Sequence, residues 1–193
     1  MHRKQLTHPE KKWGVFMYFK QKNKTAIRSQ HMIAAALFSL MERKPFQQIS
    51  VTEICEEAAI GRKTFYRNFE LREDVVDFQL DLLLDEYKKN FNLLSYKENL
   101  YHHFEFIKKN AGYFIALYKN GLSSLSEDKF SALLPETMPV WSESPIEQEY
   151  RSAYIISGIE AIQRVWISRG CLESIDEVVA IAIRAQDKQV PLR

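Results

Sequence analysis

From residue 24 onward, apolar side chains recur three and four positions apart in one segment after another, and no stretch alternates as a half-buried strand would. The first segment, about Thr25 to Arg43, sets Ile27, Met32, Ile33, Ala36, Leu37 and Leu40 inward. Pro45 ends it by driving the preceding residue out of the helical region. Ser50 with Glu53 three residues later fits a capping box, so a second helix starts near Val51, with Ile54, Cys55 and Ala58 as a narrow apolar side. Ala59-Ile60-Gly61 breaks it; Gly61 supplies an unusual turn angle or caps the next helix. A third helix, Arg62 to Phe69, buries Phe65 and Phe69 four apart. A fourth runs from Arg72 to about Leu94 through Val75, Val76, Phe78, Leu82, Leu83, Tyr87 and Phe91.

The remaining pattern gives helices over Lys97–Asn110, Ala111–Asn120, within Ser126–Leu134, Ile146–Arg169 and Ser174–Gln189, with Gly121 and Gly170 at helix ends. Pro135, Pro139 and Pro145 make the stretch before Ile146 irregular. The helix from Ile146 carries Tyr150, Ala153, Tyr154, Ser157, Gly158, Ala161, Ile162 and Val165, many of them small enough for another helix to approach closely. The last helix, with Ile175, Val178, Val179, Ile181, Ala182 and Ile183, is apolar over much of its surface, so burial on more than one side is expected and a partner subunit is implied. The fold class expected is all-α.

Composition sharpens this where charge is concerned. The chain has 193 residues, 46% of them apolar and 12% aromatic, enough for a packed core. Its net charge of +2 hides an asymmetry: residues 1–72 hold 14 Lys and Arg against 6 Asp and Glu, a net of +8, and residues 73–193 a net of −6. One end is built to meet a polyanion and the other is not. Residues 1–23 form a basic, aromatic extension with an apolar patch, Trp13–Phe19, flanked by lysines. Three readings stand for it: a disordered basic arm, ranked slightly ahead; a helix packed on the head; and an extension without function. It lacks the small-residue cleavage site of a signal peptide. Two isolated cysteines, Cys55 and Cys171, form neither a disulfide framework nor a metal clip, and the cytoplasm is the expected compartment. No run of about 18 apolar residues exists to span a bilayer.

Candidate chemistry is sparse outside one place. His102 and His103 are neighbours on a helix, pointing about 100° apart, so they do not readily share a metal. Glu56-Glu57 and Asp85-Glu86 sit on exposed faces, and no phosphate loop or nucleophile elbow occurs. No catalytic residue, metal site or cofactor is expected. The aromatic set Tyr101, Phe104, Phe106, Tyr113, Phe114, Tyr118, Phe130, Trp141, Tyr154 and Trp166 reads mainly as core, and residues for a small-molecule ligand are not legible. Arg62, Lys63, Thr64, Tyr66, Arg67 and Asn68 are different. They surround a short helix that is aromatic inside and basic outside, which suits the major groove of DNA.

The segment Ser50–Asp74 resembles the TetR (TetR/AcrR) family of transcriptional regulators in Ile54, Ala58, Thr64, Phe65, Tyr66, Phe69 and Arg72, and upstream in Ile33–Leu37 and Lys44–Val51. Lys44-Pro45-Phe46 and Trp166-Ile-Ser-Arg-Gly170 are similar to the dihydroxyacetone-kinase-regulator-like subgroup. The match covers roughly residues 24–90, with a weaker echo over 98–185. Three positions depart from the family pattern: Ala59 replaces a usual glycine, Gly61 a frequent serine or asparagine, and Leu71 a polar cap, each weakening a cap by about 1 kcal/mol. The resemblance implies a three-helix helix-turn-helix head over 24–71 and a regulatory and dimerisation bundle over 72–193. It implies a homodimer on a palindromic operator in double-stranded DNA, repression as the commoner outcome, and release by a small-molecule inducer; the alternative is control by a protein partner. Thr64 and Tyr66 would meet phosphates, Arg62, Lys63 and Arg67 base edges or phosphates, and Arg72 and Thr52 further phosphates. Lys24 and Arg28 would reach the backbone from the first helix.

Overall fold

The computed structural model describes residues 23–89, 95–131 and 142–187, and helices are its only regular elements there. They are α1 (Lys24–Arg43), α2 (Val51–Glu57), α3 (Arg62–Tyr66), α4 (Arg72–Lys89), α5 (Tyr96–Lys109), α6 (Ala111–Lys119), α7 (Ser123–Ser131), α8 (Pro145–Ser168) and α9 (Ile175–Asp187), with a short 3-10 turn, Phe46–Gln48, between α1 and α2. The expected continuation of the fourth helix through Phe91, the core role of Trp141 and the reading of the basic extension before Asn23 all lie outside the described residues.

Local side chains start these helices. Asn23 accepts the Thr25 N–H at 3.0 Å ahead of α1, and Ser50 with Glu53 forms the full capping box of α2. Ser95 with Glu98 does the same for α5, and Ser144 with Pro145 opens α8. Three helices end alike. The residue after the cap turns left-handed, and its successor's N–H reaches back five positions into the helix: Ile60 to Cys55 after α2, Leu122 to Leu117 after α6, and Cys171 to Trp166 after α8. Two of the left-handed residues are Gly121 (φ 69°) and Gly170 (φ 76°). The third is Ala59, with φ 52°, so the unusual angle expected of Gly61 falls two residues earlier and Gly61 caps α3 in an extended conformation.

Two cores divide the molecule. The first joins Ile33, Leu37, Phe38, Met41, Phe46, Ile49, Ile54, Phe65, Phe69, Val75 and Phe78 of the head, and Ala116 and Leu117 of α6 complete it. Ile27 and Met32 are exposed, contrary to the inward positions expected of them. The buried stripe of α1 runs through Gln30, Ile33, Ala34, Leu37, Phe38 and Met41; Met32 lies one residue, about 100°, off it, and Ile27 precedes the core. The second core lies among α4, α5, α6, α7, α8 and α9 and is filled by aromatic side chains, with Tyr87, Phe104, Phe106, Phe114, Phe130 and Trp166 all buried. Within it α9 is one-sided, not apolar all round: Val178, Val179 and Ala182 face inward while Ile181 is exposed.

Candidate nucleic-acid interface

The turn that carries α3 is fixed from below. Phe65 and Phe69, both fully buried, pack 5.9 Å apart, and Phe69 meets Phe78 of α4 at 5.6 Å. α3 is shorter than expected, ending at Tyr66 because Arg67 caps it and Asn68 Nδ2 turns back to the Thr64 carbonyl at 2.7 Å. Phe69 therefore lies beyond the helix but in the same core. Gly61 leaves α3 without a side-chain cap.

With the aromatics inside, the opposite surface is left to polar groups. Arg62, Lys63, Tyr66 and Arg67 are exposed, Thr64 is half-buried, and Thr52 is exposed at the start of α2. The Arg62 guanidinium lies 6.0 Å from the Tyr66 ring centre. Nearby carboxylates are engaged elsewhere: Glu57 pairs with Arg43 at 2.6 Å, and Glu53 pairs with Lys44. That hydrogen bond to Lys44, with those from Ser50, holds the Glu53 carboxyl down to about 2. Among the described residues, no ion pair uses Arg62, Lys63 or Arg67. Cys55 is buried beneath them, and desolvation raises its thiol pKa, so it is a small apolar filler.

Arg72, expected at a phosphate, is held within the protein. Its Nη1 donates to the carbonyls of Phe46 at 3.0 Å, Gln47 at 3.2 Å and Ile49, and its guanidinium stacks 4.7 Å from the Phe46 ring centre. Carbonyls at the end of a 3-10 turn lack helical partners, and a guanidinium with five donors gathers them. Sequence reasoning also missed Asp74. Its Oδ2 accepts the N–H groups of Glu70 at 3.0 Å and Leu71 at 2.8 Å, supplying the cap absent at Leu71. The visible signal was an acid three residues after Leu71, half of a capping box.

The two histidines of the body make internal contacts. His103 is buried, its Nε2 donating to Gln163 Oε1 at 2.7 Å, and burial lowers its pKa to about 4. His102 faces the Tyr87 carbonyl. Among the described residues no group of three metal-ligating side chains converges, and no helix is long and apolar enough to cross a membrane.

Comparison with known proteins places this arrangement. No protein-family profile matches the chain. It is 28% identical over 181 residues, covering 86% of this chain and 94% of the relative, to the HTH-type dhaKLM operon transcriptional activator DhaS of Lactococcus lactis. Among solved structures, the dihydroxyacetone kinase operon activator DhaS superposes with a TM-score of 0.64 at 22% identity, covering 83% of this chain and 94% of that one. A TetR transcriptional regulator from Streptococcus agalactiae gives 0.67 at 15% identity, covering 85% and 96%. The fold is that of the TetR-family regulators. The relatives in this comparison are transcriptional regulators rather than enzymes. Within the TetR-like frame, α2 and α3 are the helix-turn-helix pair, and α4 leads from the head into the body.

Proposed function

We propose that the chain is a sequence-specific DNA-binding transcriptional regulator acting as a homodimer. The observation that carries this is the surface of α3: Arg62, Lys63 and Arg67 are exposed without ion pairs beside Tyr66, on a helix anchored by two buried phenylalanines. Free cations on a rigid helix release counterions when they meet phosphates, and guanidinium forks read guanine edges. Thr64 and Tyr66 serve as phosphate contacts, Arg62, Lys63 and Arg67 as base-edge or phosphate contacts, and Thr52 as a further phosphate contact. Arg72 acts indirectly, by holding the turn before α2.

Two heads in a dimer would enter successive major grooves about 34–36 Å apart, on a palindromic site. The test is salt-titrated binding to the DNA flanking this protein's own gene, with unrelated DNA as competitor. Selective binding with log affinity falling steeply against log salt supports the reading; affinity no better than for the competitor at every salt concentration goes against it.

Repression relieved by a small-molecule inducer is the form of control the resemblance implies. A specific observation favours a second reading, control by a protein partner. The body is packed by edge-to-face rings, with Tyr87 against Phe106 at 5.1 Å and Phe130 at 5.4 Å, and Phe104 against Trp166 at 5.5 Å. Its apolar groove of about 450 Å³, between α8 and α9 and lined by Ile162, Val165, Trp166, Val178 and Ile181, opens on the surface, where a protein reaches it. The name of DhaS, an activator, likewise makes activation the second reading of the direction of control. A promoter fusion compared in strains with and without the gene separates the two.

A further inference from the structure

The seven residues between α1 and α2 are held from two directions, and one of the holds comes from the body. Pro45 offers no side-chain cap to the 3-10 turn that follows it, which leaves the Phe46 N–H without a local acceptor. Asn120 supplies one from 74 positions away: its Oδ1 accepts the Phe46 N–H at 2.6 Å. The same side chain donates through Nδ2 to the Ala116 carbonyl at 2.8 Å, in the last turn of α6, and to the Met41 carbonyl at 3.5 Å, in the last turn of α1. Its backbone carbonyl faces Gln47 Nε2 at 3.5 Å. Asn120 is 8% exposed, so each of these contacts replaces water that is no longer there.

A single amide thus ties together the end of α1, the start of the turn and the end of α6. On the other side of the turn, Arg72 of α4 gathers the Phe46, Gln47 and Ile49 carbonyls. The Phe46 N–H is thus held from the end of α6 and three carbonyls of the turn from α4, while Lys44 takes the Gln48 carbonyl at 3.1 Å. The turn runs directly into Ser50, whose capping box starts α2, and α2 is followed by α3. Gly121 (φ 69°) then reverses the chain so that Leu122 and Leu125 of the α7 region pack on the head core as well.

We propose that Asn120 is the positioning residue through which the helical body sets the angle of the DNA-facing pair α2–α3, so that any displacement of α6 against α4 is delivered to the turn at 45–49. Asn120 touches no DNA; it acts through Phe46 and the turn. This rests on the reading of α3 as a DNA-contacting helix, but its anchoring part does not.

The test is amide hydrogen exchange on the full chain and on Asn120→Ala, each with and without a mixed-sequence DNA duplex at low salt. Without DNA, Asn120→Ala should speed exchange of the Phe46 amide by about tenfold and leave the amides of Ile54 and Phe69 in the head core unchanged. With DNA, the wild-type chain should gain protection both at Phe46 and at the α6 end, at Gly121 and Leu122, and the variant should lose the gain at Gly121 and Leu122 while still binding. A general loss of packing would instead raise exchange throughout both cores. Unchanged Phe46 exchange in the variant overturns the anchor. DNA-induced protection at Gly121 and Leu122 that survives in the variant overturns the coupling. Should Asn120→Ala not fold, the wild-type chain alone decides: protection by DNA confined to the head, with none at Gly121 or Leu122, refutes the proposal. Failure of the wild-type chain to bind DNA at low salt refutes the proposed function, and the DNA-free Phe46 comparison then judges the anchor separately.

Discussion

Ala59 occupies the left-handed position that ends α2, where Gly121 and Gly170 serve the corresponding ends of α6 and α8. A Cβ in that conformation crowds the following carbonyl, a strain that glycine avoids at some cost in unfolded-chain entropy. Ala59→Gly should therefore raise stability by roughly 0.5–1 kcal/mol, read by denaturant unfolding, with DNA affinity preserved because the side chain is exposed and touches no predicted contact. Sequence alone identified the position as unusual, since glycine is common there, but not that it carried the strain, because Gly61 two residues on was an equally good bearer. Arg72 and Asn120 show a second limit. Their hydrogen-bond partners lie 23 to 26 and 74 to 79 positions away, and no local pattern announces such pairs. The exposed face of α3 was legible because Phe65 and Phe69 lie inward and fix which residues point out. There, Tyr66→Phe and Arg67→Ala should weaken DNA binding, and Arg67→Ala should reduce the salt slope by about one. Both should leave the melting temperature within a degree or two, as Tyr66→Phe keeps the ring that meets Phe65 at 5.4 Å and Arg67 is exposed. A large drop in melting temperature would assign them a structural role instead.

At the scale of single helices, capping residues and stripe periodicity were enough to place the helices within a few residues wherever the structure describes them. Misplacement followed wherever burial depended on a neighbour instead of on the helix itself. Ile27 lies on the right face of α1 yet is exposed, and Ile181 lies at the open groove between α8 and α9. The α5–α8 contact illustrates the same dependence and has a pH consequence. His103 on α5 bonds Gln163 on α8, a pairing across 60 positions, and burial holds the ring neutral with a pKa of about 4. The unfolded chain takes up that proton near pH 6.5, so between pH 6.5 and about 4 the unfolded state binds more protons. The contribution of neutral His103 is complete above pH 6.5 and is lost as pH falls toward 4, by up to roughly 3 kcal/mol. Thermal unfolding followed through Trp166 fluorescence should fall across that window. A His103→Gln chain, stable enough to measure, should lack this part of the slope; an identical slope in both would place the titrating group elsewhere.

For the whole molecule the unsettled face is the one along α8. Ile146, Tyr150, Tyr154, Val165 and Leu172 are 68%, 75%, 75%, 60% and 77% exposed, and with Ile181 they follow one side of α8 and the adjoining edge of α9. Together these side chains present on the order of 700 Å² to solvent, close to the roughly 800 Å² per partner of a standard interface. Charge along α8 leans in the same sense: Glu147 and Glu149 stand near its beginning with Arg151 beside them, and Arg164 and Arg169, which pair with Glu127 and Glu173 of the same chain, near its end. Two copies of α8 packed antiparallel about a twofold axis near Gly158 would bring the acidic beginning of each against the basic end of the other. A second copy of the chain covers the apolar area, which is why the homodimer is the assembly proposed. Val179, on the helix for which the sequence implied burial on more than one side, is 1% exposed and belongs to the body's own core. A charge at Val179 should therefore unfold the body outright, whereas Tyr154→Glu should dissociate the dimer and leave helix content and melting of the isolated protomer intact. Sedimentation and circular dichroism on the two variants test this directly. In the monomeric Tyr154→Glu protein, DNA affinity should fall toward that of a single head, since the second half-site is no longer held at a fixed spacing. A Tyr154→Glu protein that remains a dimer would move the interface off α8.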